Sequence, residues 1–499
     1  MSKETEFLSY LKEISLLKQA TSLLEWDNNT GMPAASAGYR AEVSGYLSGL
    51  AFDKANGQQM GNFMAYFANH PDELSPFGQA VYEKAKEEYE LNHSIPAAEF
   101  QAYAELTSKA QSIWAEARAA GDFKLFEDTL EQLVDFNKTF IPLWRKQEKT
   151  PYDVLLDQYE PGMTTEKLDS VFSELKDGLL RLRQLLAEKG KAPRTDFLTR
   201  RVPKELQRQF VTQAVSQLGY DFNRGRLDET VHPFMMNVNR NDARITTRWM
   251  ENQVQMAVFG VIHEAGHGIY EQNIDALYDY TPLAGGVSMG IHESQSLFYE
   301  KMIGGHPHFW DTQYPIFRQI TGDTFQDIDC KTFYNGLHKT ESSLIRIEAD
   351  SLTYPLHIII RYEIEKMLFN GDVSVAELPQ IWNDKYEEYL GIRPENDGEG
   401  ILQDIHWAGG SFGYFPSYAL GYMYAAQLYA AMNKELSVDD LLLAGDYLPI
   451  RAWLTRHIHQ FGGSRKPDQL IREATGEALN PKYLLDHLEK TYRAVYDVR

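Results

Sequence analysis

Cysteine is almost absent from this chain: Cys330 stands alone among 499 residues. A disulfide within the chain is excluded, and the composition suits a reducing compartment. Basic residues are scarce too, with 49 Lys and Arg against 71 Asp and Glu and a formal net charge of −22. That balance excludes a nucleic acid as partner, because phosphate binding needs a basic surface. It argues equally against an anionic membrane. No apolar run approaches the roughly 20 residues of a membrane-crossing helix. The opening residues, Met1 to Glu6, are polar and lack the basic-then-apolar order of a secretory leader. The expectation is a cytoplasmic protein. Repeats, low-complexity linkers and a clear domain boundary are missing as well, so residues 1–499 read as one catalytic unit with composition enough for a large core.

Strand patterning is the last thing in short supply. Three-and-four periodicity predicts helices near 6–25, 37–53, 76–93, 97–119, 122–147, 164–189, 203–218 and 250–271. Others are expected near 293–303, 339–369, 375–390, 416–433, 438–459 and 481–495. Ser374 with Glu377, and Ser437 with Asp440, have capping-box spacing, and Pro96, Pro203 and Pro481 suit first turns. Only Arg244-Ile245-Thr246-Thr247-Arg248-Trp249 alternates like a strand, after a turn-prone Asn239–Asp242. The fold class is therefore mainly α: a large helical unit of long helices enclosing a deep groove, with a small β-sheet beside it.

What is present is His263-Glu264-Ala265-Gly266-His267. On a helix, positions four apart differ by about 40° and about 6 Å of rise, so two imidazoles can grip one metal ion from the same face. Glu264 then stands where it can act on water at that metal. Val254, Ala257, Val258, Val261, Ile262 and Ala265 form an apolar stripe that anchors the helix. The bland alternative, two satisfied core histidines, gives no reason for a carboxylate between them, whose burial is costly without a compensating cation. A catalytic site of this kind needs a third protein ligand and an open fourth position. Glu293 is the better candidate and the adjacent His292 the alternative, both behind a glycine-rich return, Ala284–Gly290. Glu300, two turns beyond Glu293, suits a hydrogen-bond acceptor for a ligand histidine, or a solvated helix face.

Other residues carry paired readings. An edge strand can hold an extended peptide by strand addition, and Arg244 and Thr246 would share one face of it. Arg244 would then face substrate; the bland reading pairs it with Asp242. His232, before Pro233, is loop structure by default. A tetrahedral oxyanion needs a donor besides the metal, and a phenol can donate while neutral. Tyr418 is favoured, with Tyr414 and His406 as rivals, although an arbitrary tyrosine among 29 is usually packing. A free C-terminal carboxylate calls for a guanidinium. Arg346, on what reads as an apolar helical stretch, and Arg244 compete for that role, and ion pairing is the alternative for each. Gln403, Asp404 and His406 would shape the groove end, with Trp407 as packing.

Taken together, these segments resemble the carboxypeptidase Taq family of metallocarboxypeptidases. The resemblance rests on Leu24-Glu25-Trp26-Asp27, Thr30-Gly31-Met32-Pro33, His232-Pro233-Phe234, Asp242-Ala243-Arg244-Ile245-Thr246 and the H-E-x-x-H itself. It continues through His292-Glu293-Ser294, Gly400–Trp407 and Gly413–Gly421, all in order. The resemblance implies an architecture similar to neurolysin and angiotensin-converting enzyme, and release of C-terminal residues from peptides with broad specificity. It also implies His263, His267 and Glu293 as ligands of one zinc ion, with cobalt able to substitute, and Glu264 as general base and acid. It tilts Tyr418 toward catalysis, and His232, Arg244 and Thr246 toward the groove. A homodimer is implied by the resemblance alone.

Overall fold

The computed structural model describes residues 2–499, apart from the side chain of residue 97. The chain opens with α1 (Lys3–Thr30), α2 (Ala37–Asn56), α3 (Gln58–Asn69) and α4 (Pro76–His93), followed by α5 (Ala97–Ala120) and α6 (Lys124–Trp144). α7 (Pro151–Tyr159), α8 (Thr165–Lys189) and α9 (Lys204–Leu218) lead into a sheet of β1 (Leu227–Glu229), β2 (Met235–Asn239) and β3 (Asp242–Thr247). Next come α10 (Val254–Gln272), α11 (Met289–Leu297) running into a π-helical turn at Phe298–Ile303, α12 (Pro307–Thr321) and α13 (Cys330–Leu337). α14 (Tyr354–Asn370), α15 (Leu378–Leu390), α16 (Pro416–Met432), α17 (Val438–Ala444), α18 (Leu448–His457), α19 (Pro467–Thr475) and α20 (Lys482–Val495) complete it. The expected mainly helical class with one small sheet is what the chain adopts.

Two apolar cores form. The larger runs through α6, α8 to α12, α14 to α16 and α20. A smaller one lies under α1, α3 and α4, where Phe7, Phe63 and Phe67 meet with ring centroids 5.3 to 6.5 Å apart.

Several local expectations change. The strand at 244–249 is seated at Asp242–Thr247 and is central, not an edge: the order is β1-β3-β2, with β1 parallel and β2 antiparallel to β3. Both its ladders are therefore occupied, so strand addition by a peptide has no free edge on β3. The helix expected over 339–369 starts only at Tyr354. The Asp350 carboxylate accepts from the backbone N–H groups of Glu341, Leu352 and Thr353, which fixes a turn where a helix would continue. Arg346 accordingly sits in a single short 3-10 turn, Arg346–Glu348, not on a long helix. The stretch at 438–459 splits into α17 and α18 because Gly445 takes a left-handed φ of 67° at the C-cap.

The capping box at Ser374 and Glu377 forms. The Ser437 hydroxyl donates to Asp440 instead, with no side-chain bond to the helix backbone. Pro96, Pro203 and Pro481 stand one residue earlier than expected, at the N-caps of α5, α9 and α20.

Candidate metal centre and substrate groove

The apolar stripe on α10 is fully committed: Val254, Ala257, Val258, Val261, Ile262 and Ala265 are all buried. β3 packs on this helix, with Ile245 against Gly268. α11 lies close on another side, because Gly266 faces the Gln295 carbonyl and the Ser296 backbone at distances that a Cβ would reduce to 2.6 Å. Ser288 caps α11 by accepting from the Ile291 N–H. Buried Glu160 accepts from the Gly290 N–H at 3.0 Å and from the Tyr424 hydroxyl at 2.9 Å, tying α11 to α16. Glu293 is thus delivered from a helix fixed at its start and pressed by Gly421 of α16.

The result is a convergence of three side chains. Glu293 Oε2 lies 3.4 Å from His267 Nε2 and 3.8 Å from His263 Nε2. One ligating atom from each of the three lies within 4.8 Å of the others. The far nitrogens are held from outside. His263 Nδ1 is 2.8 Å from Glu300 Oε2, and Lys301 Nζ stands 2.6 Å from the same carboxylate. His267 Nδ1 is 2.6 Å from His292 Nδ1, whose Nε2 lies 2.8 Å from Glu271 Oε1. Asn237 of β2 donates to the other Glu271 oxygen at 2.5 Å. Such outer partners fix ring orientation and tautomer. His292 therefore orients a neighbouring ring and does not join the cluster.

Electrostatics alone leaves this cluster short of positive charge. Burial disfavours the charged form of His263, but Glu293, Glu300 and Glu264 outweigh it and raise its pKa to about 10. Burial drives His267 down to about 4, so that ring is neutral. Burial also raises Glu264 to about 7, partly relieved by His263. Glu264 is 8% exposed, as is Glu293. Two imidazoles and a carboxylate aimed at one point, with more carboxylate around them than protein cation, match the donor set that a divalent metal takes.

Beyond the cluster, Tyr418 in the first turn of α16 has its hydroxyl 3.1 Å from His406 Nε2. Tyr414 packs edge-on against it, ring centroids 5.2 Å apart. Burial keeps His406 neutral, its pKa down to about 4, and pushes both phenols up. The guanidinium of Arg346 lies over the Tyr418 ring, 4.8 Å from its centroid. It is also paired: its Nη2 donates to Asp404 Oδ1 at 2.8 Å, while Arg361 Nε donates to Oδ2 at 2.7 Å. Gln403 accepts from the Arg346 N–H at 2.8 Å and donates to the Leu344 carbonyl, which shapes this loop.

The remaining named residues lie on the sheet side. Arg244 makes two bonds to Asp242, at 2.7 and 2.8 Å, and stacks over Trp26. Thr246 is wholly buried and bonds both backbone groups of Phe234, thereby fastening the His232-Pro233-Phe234 loop. His232 itself is exposed.

Sequence reasoning passed over Glu271, Asn237, Tyr354 and Arg361. Glu271 carried a signal, since it stands one turn after His267 on the same helix. Asn237 comes from β2, and Tyr354 and Arg361 from α14, elements remote from α10 in the chain, and these had none.

Fold and site together define a helical metallopeptidase. A family model described as carboxypeptidase Taq (M32) metallopeptidase matches residues 6–492. Carboxypeptidase 1 of Bacillus subtilis is 49% identical over 494 residues, covering 99% of this chain and 98% of that protein. Thermostable carboxypeptidase 1 of Thermus thermophilus is 35% identical, covering 98% of each. The solved M32 carboxypeptidase of Deinococcus radiodurans superposes with a TM-score of 0.96 at 34% identity, covering 99% of both chains. The chain belongs to the carboxypeptidase Taq (M32) family of metal-dependent carboxypeptidases and is a peptide hydrolase.

Proposed function

We propose that the chain, as one catalytic unit over residues 1–499, is a zinc carboxypeptidase releasing single residues from peptide C-termini with broad specificity. The convergence of His263, His267 and Glu293 beside Glu264 carries this reading. These three residues would hold the metal, with Glu300 and His292 orienting the rings. Two imidazoles and one carboxylate suit zinc, and cobalt fits the same donors. When bound, such an ion supplies Lewis acidity, which makes water a stronger acid and polarises a carbonyl.

The chain's own groups do the rest. Glu264 takes a proton from the attacking water and passes it to the departing amine. The Tyr418 hydroxyl donates to the developing oxyanion while His406 Nε2 holds it in place. Arg346 is the anchor for the substrate's free carboxylate. Two buried guanidiniums share the single Asp404 carboxylate, so the cluster keeps one net positive charge, and among the described residues Arg346 Nη1 meets only the Tyr354 hydroxyl, at 3.4 Å. Arg244 is less suited because Asp242 already occupies its fork. With Thr246, Gln403 and Tyr414 it would shape the groove, and His232 would meet substrate from the loop.

Mass spectrometry of products from a mixed peptide library tests the reading. Single-residue ladders from free C-termini are expected, abolished by chelator and restored by zinc or cobalt. C-terminal amidation should block them. Efficient internal cleavage of amidated peptides would replace this reading with an oligopeptidase. A homodimer and a cytoplasmic location belong to the same proposal; light scattering tests the first, and the lone cysteine supports the second.

A further inference from the structure

Away from the metal cluster, a cavity of about 760 Å³ opens between the start of α12, α13, the end of α16 and α20. Its size is that of a small-molecule site. None of its lining residues belongs to the metal cluster or to the groups around it. Along α16 it begins eight residues beyond Tyr418, about 12 Å down the helix axis. One part of the wall is apolar and aromatic: Tyr334, Tyr429 and Tyr483, with the methyl groups of Ala426, Ala430 and Ala494. The imidazole of His487 stands edge-on to Tyr429, centroids 6.0 Å apart. Neither of its ring nitrogens meets a protein hydrogen-bond partner among the described residues.

Asp311 and Asp486 line the cavity, opposite in charge to Lys331 and Lys490. Asp311 is committed to His308 Nδ1 at 2.8 Å. His306 is turned to Asp439, outside the lining, at 3.3 Å. Lys331 and Lys490 both line the cavity, and neither makes an ion pair among the described residues, although Asp486 is one helical turn from Lys490. Both ammonium groups thus stand beside the aromatic wall with no carboxylate partner among the described residues. We propose that this cavity binds a small carboxylate with a flat aromatic body, its ring among the three tyrosines and its anion on Lys331 and Lys490. The neutral His487 ring supplies a further hydrogen bond.

Cys330 also lines the cavity and is the only thiol, so it reports occupancy directly. The test is the rate at which uncharged N-ethylmaleimide alkylates Cys330 in the full-length, metal-loaded protein, with hydrocinnamate as probe and hydrocinnamyl alcohol as its neutral match. Hydrocinnamate should slow alkylation saturably, by about tenfold at ten times its Kd, and the alcohol far less. The double variant Lys331→Gln, Lys490→Gln should lose most of the protection. Ala430→Trp, which fills the cavity, should slow alkylation without any ligand. Should that variant fail to fold, the exposed lysine pair decides. An unchanged rate at the solubility limit of hydrocinnamate overturns the proposal, as does equal protection by the alcohol. The readout is thiol chemistry, so it stands or falls independently of peptide hydrolysis.

Discussion

α2 and α16 are helices of similar length with opposite surroundings. Of the 20 residues of α2 only Ala51 is buried, whereas 14 of the 17 in α16 are. Tyr39 and Tyr46 stand 77% and 70% exposed on α2. Their glycine neighbour Gly45 has no atom within 4 Å of where a Cβ would sit. In α16, a Cβ on Gly421 would meet the Glu293 side chain at 2.7 Å. Polar groups follow the same division. Those near α16, such as the Glu160 and Asp404 side chains, are enclosed and multiply bonded, while those of α2 pair at the surface, Arg40 with Asp27 and Lys54 with Glu13. Tolerance of change should therefore follow distance from Glu293, not helix membership.

Five substitutions probe that contrast. The largest effect is expected at the site itself. Glu264→Gln should lower kcat by about a hundredfold to ten-thousandfold, with bound metal unchanged by elemental analysis; near-normal turnover would reject Glu264 as the proton carrier. Asp404→Ala comes next, because it leaves Arg346 and Arg361 buried and unpaired. A loss of about 3–5 kcal/mol in denaturant unfolding is expected, and a loss below about 1 kcal/mol would show water reaching these arginines.

Glu160 gives a pH signature. Burial raises its pKa from 4.5 to about 7 despite its hydrogen bonds. Between those values the folded protein binds the proton that the unfolded chain has released, so this residue makes stability fall as pH rises. Its contribution is constant below and above the window. Glu160→Gln should flatten the slope between those pH values, and an unaltered slope would show that the carboxylate is ionised throughout.

The smallest effects form a pair of opposite sign. Gly421→Ala should destabilise by about 1–3 kcal/mol through overpacking on Glu293. Gly45→Ala, with open space and helical backbone, should stabilise by about 0.5–1 kcal/mol. Equal effects would show that α2 is covered in solution.

The helices that were legible were the long ones. α1, α4 to α6, α8 to α10 and α20 show their periodicity because each exposes one side to water. α3, α7, α12, α13 and α19 went unread; they are short, and α12 continues through Pro315 because tertiary packing outweighs local preference. The stretch before Tyr354 read as helix because its pattern is apolar, yet Asp350 competes for its backbone. β3 was visible by its β-branched residues, but nothing in its own residues showed that both its edges are paired.

The sequence by itself determined the helical class, and it placed His263, Glu264 and His267 together, because the pitch of one helix fixes their relation without any other contact. It could only nominate Glu293, Glu300, Tyr418 and Arg346, whose positions depend on separate elements. The tertiary structure decided how near they come: Gly266 and Gly421 let three helices close on one another, and that approach sets distances that no local pattern encodes. It also decided that Arg346 shares Asp404 with Arg361, a charge balance between residues 58 and 43 positions away from Asp404 in the chain.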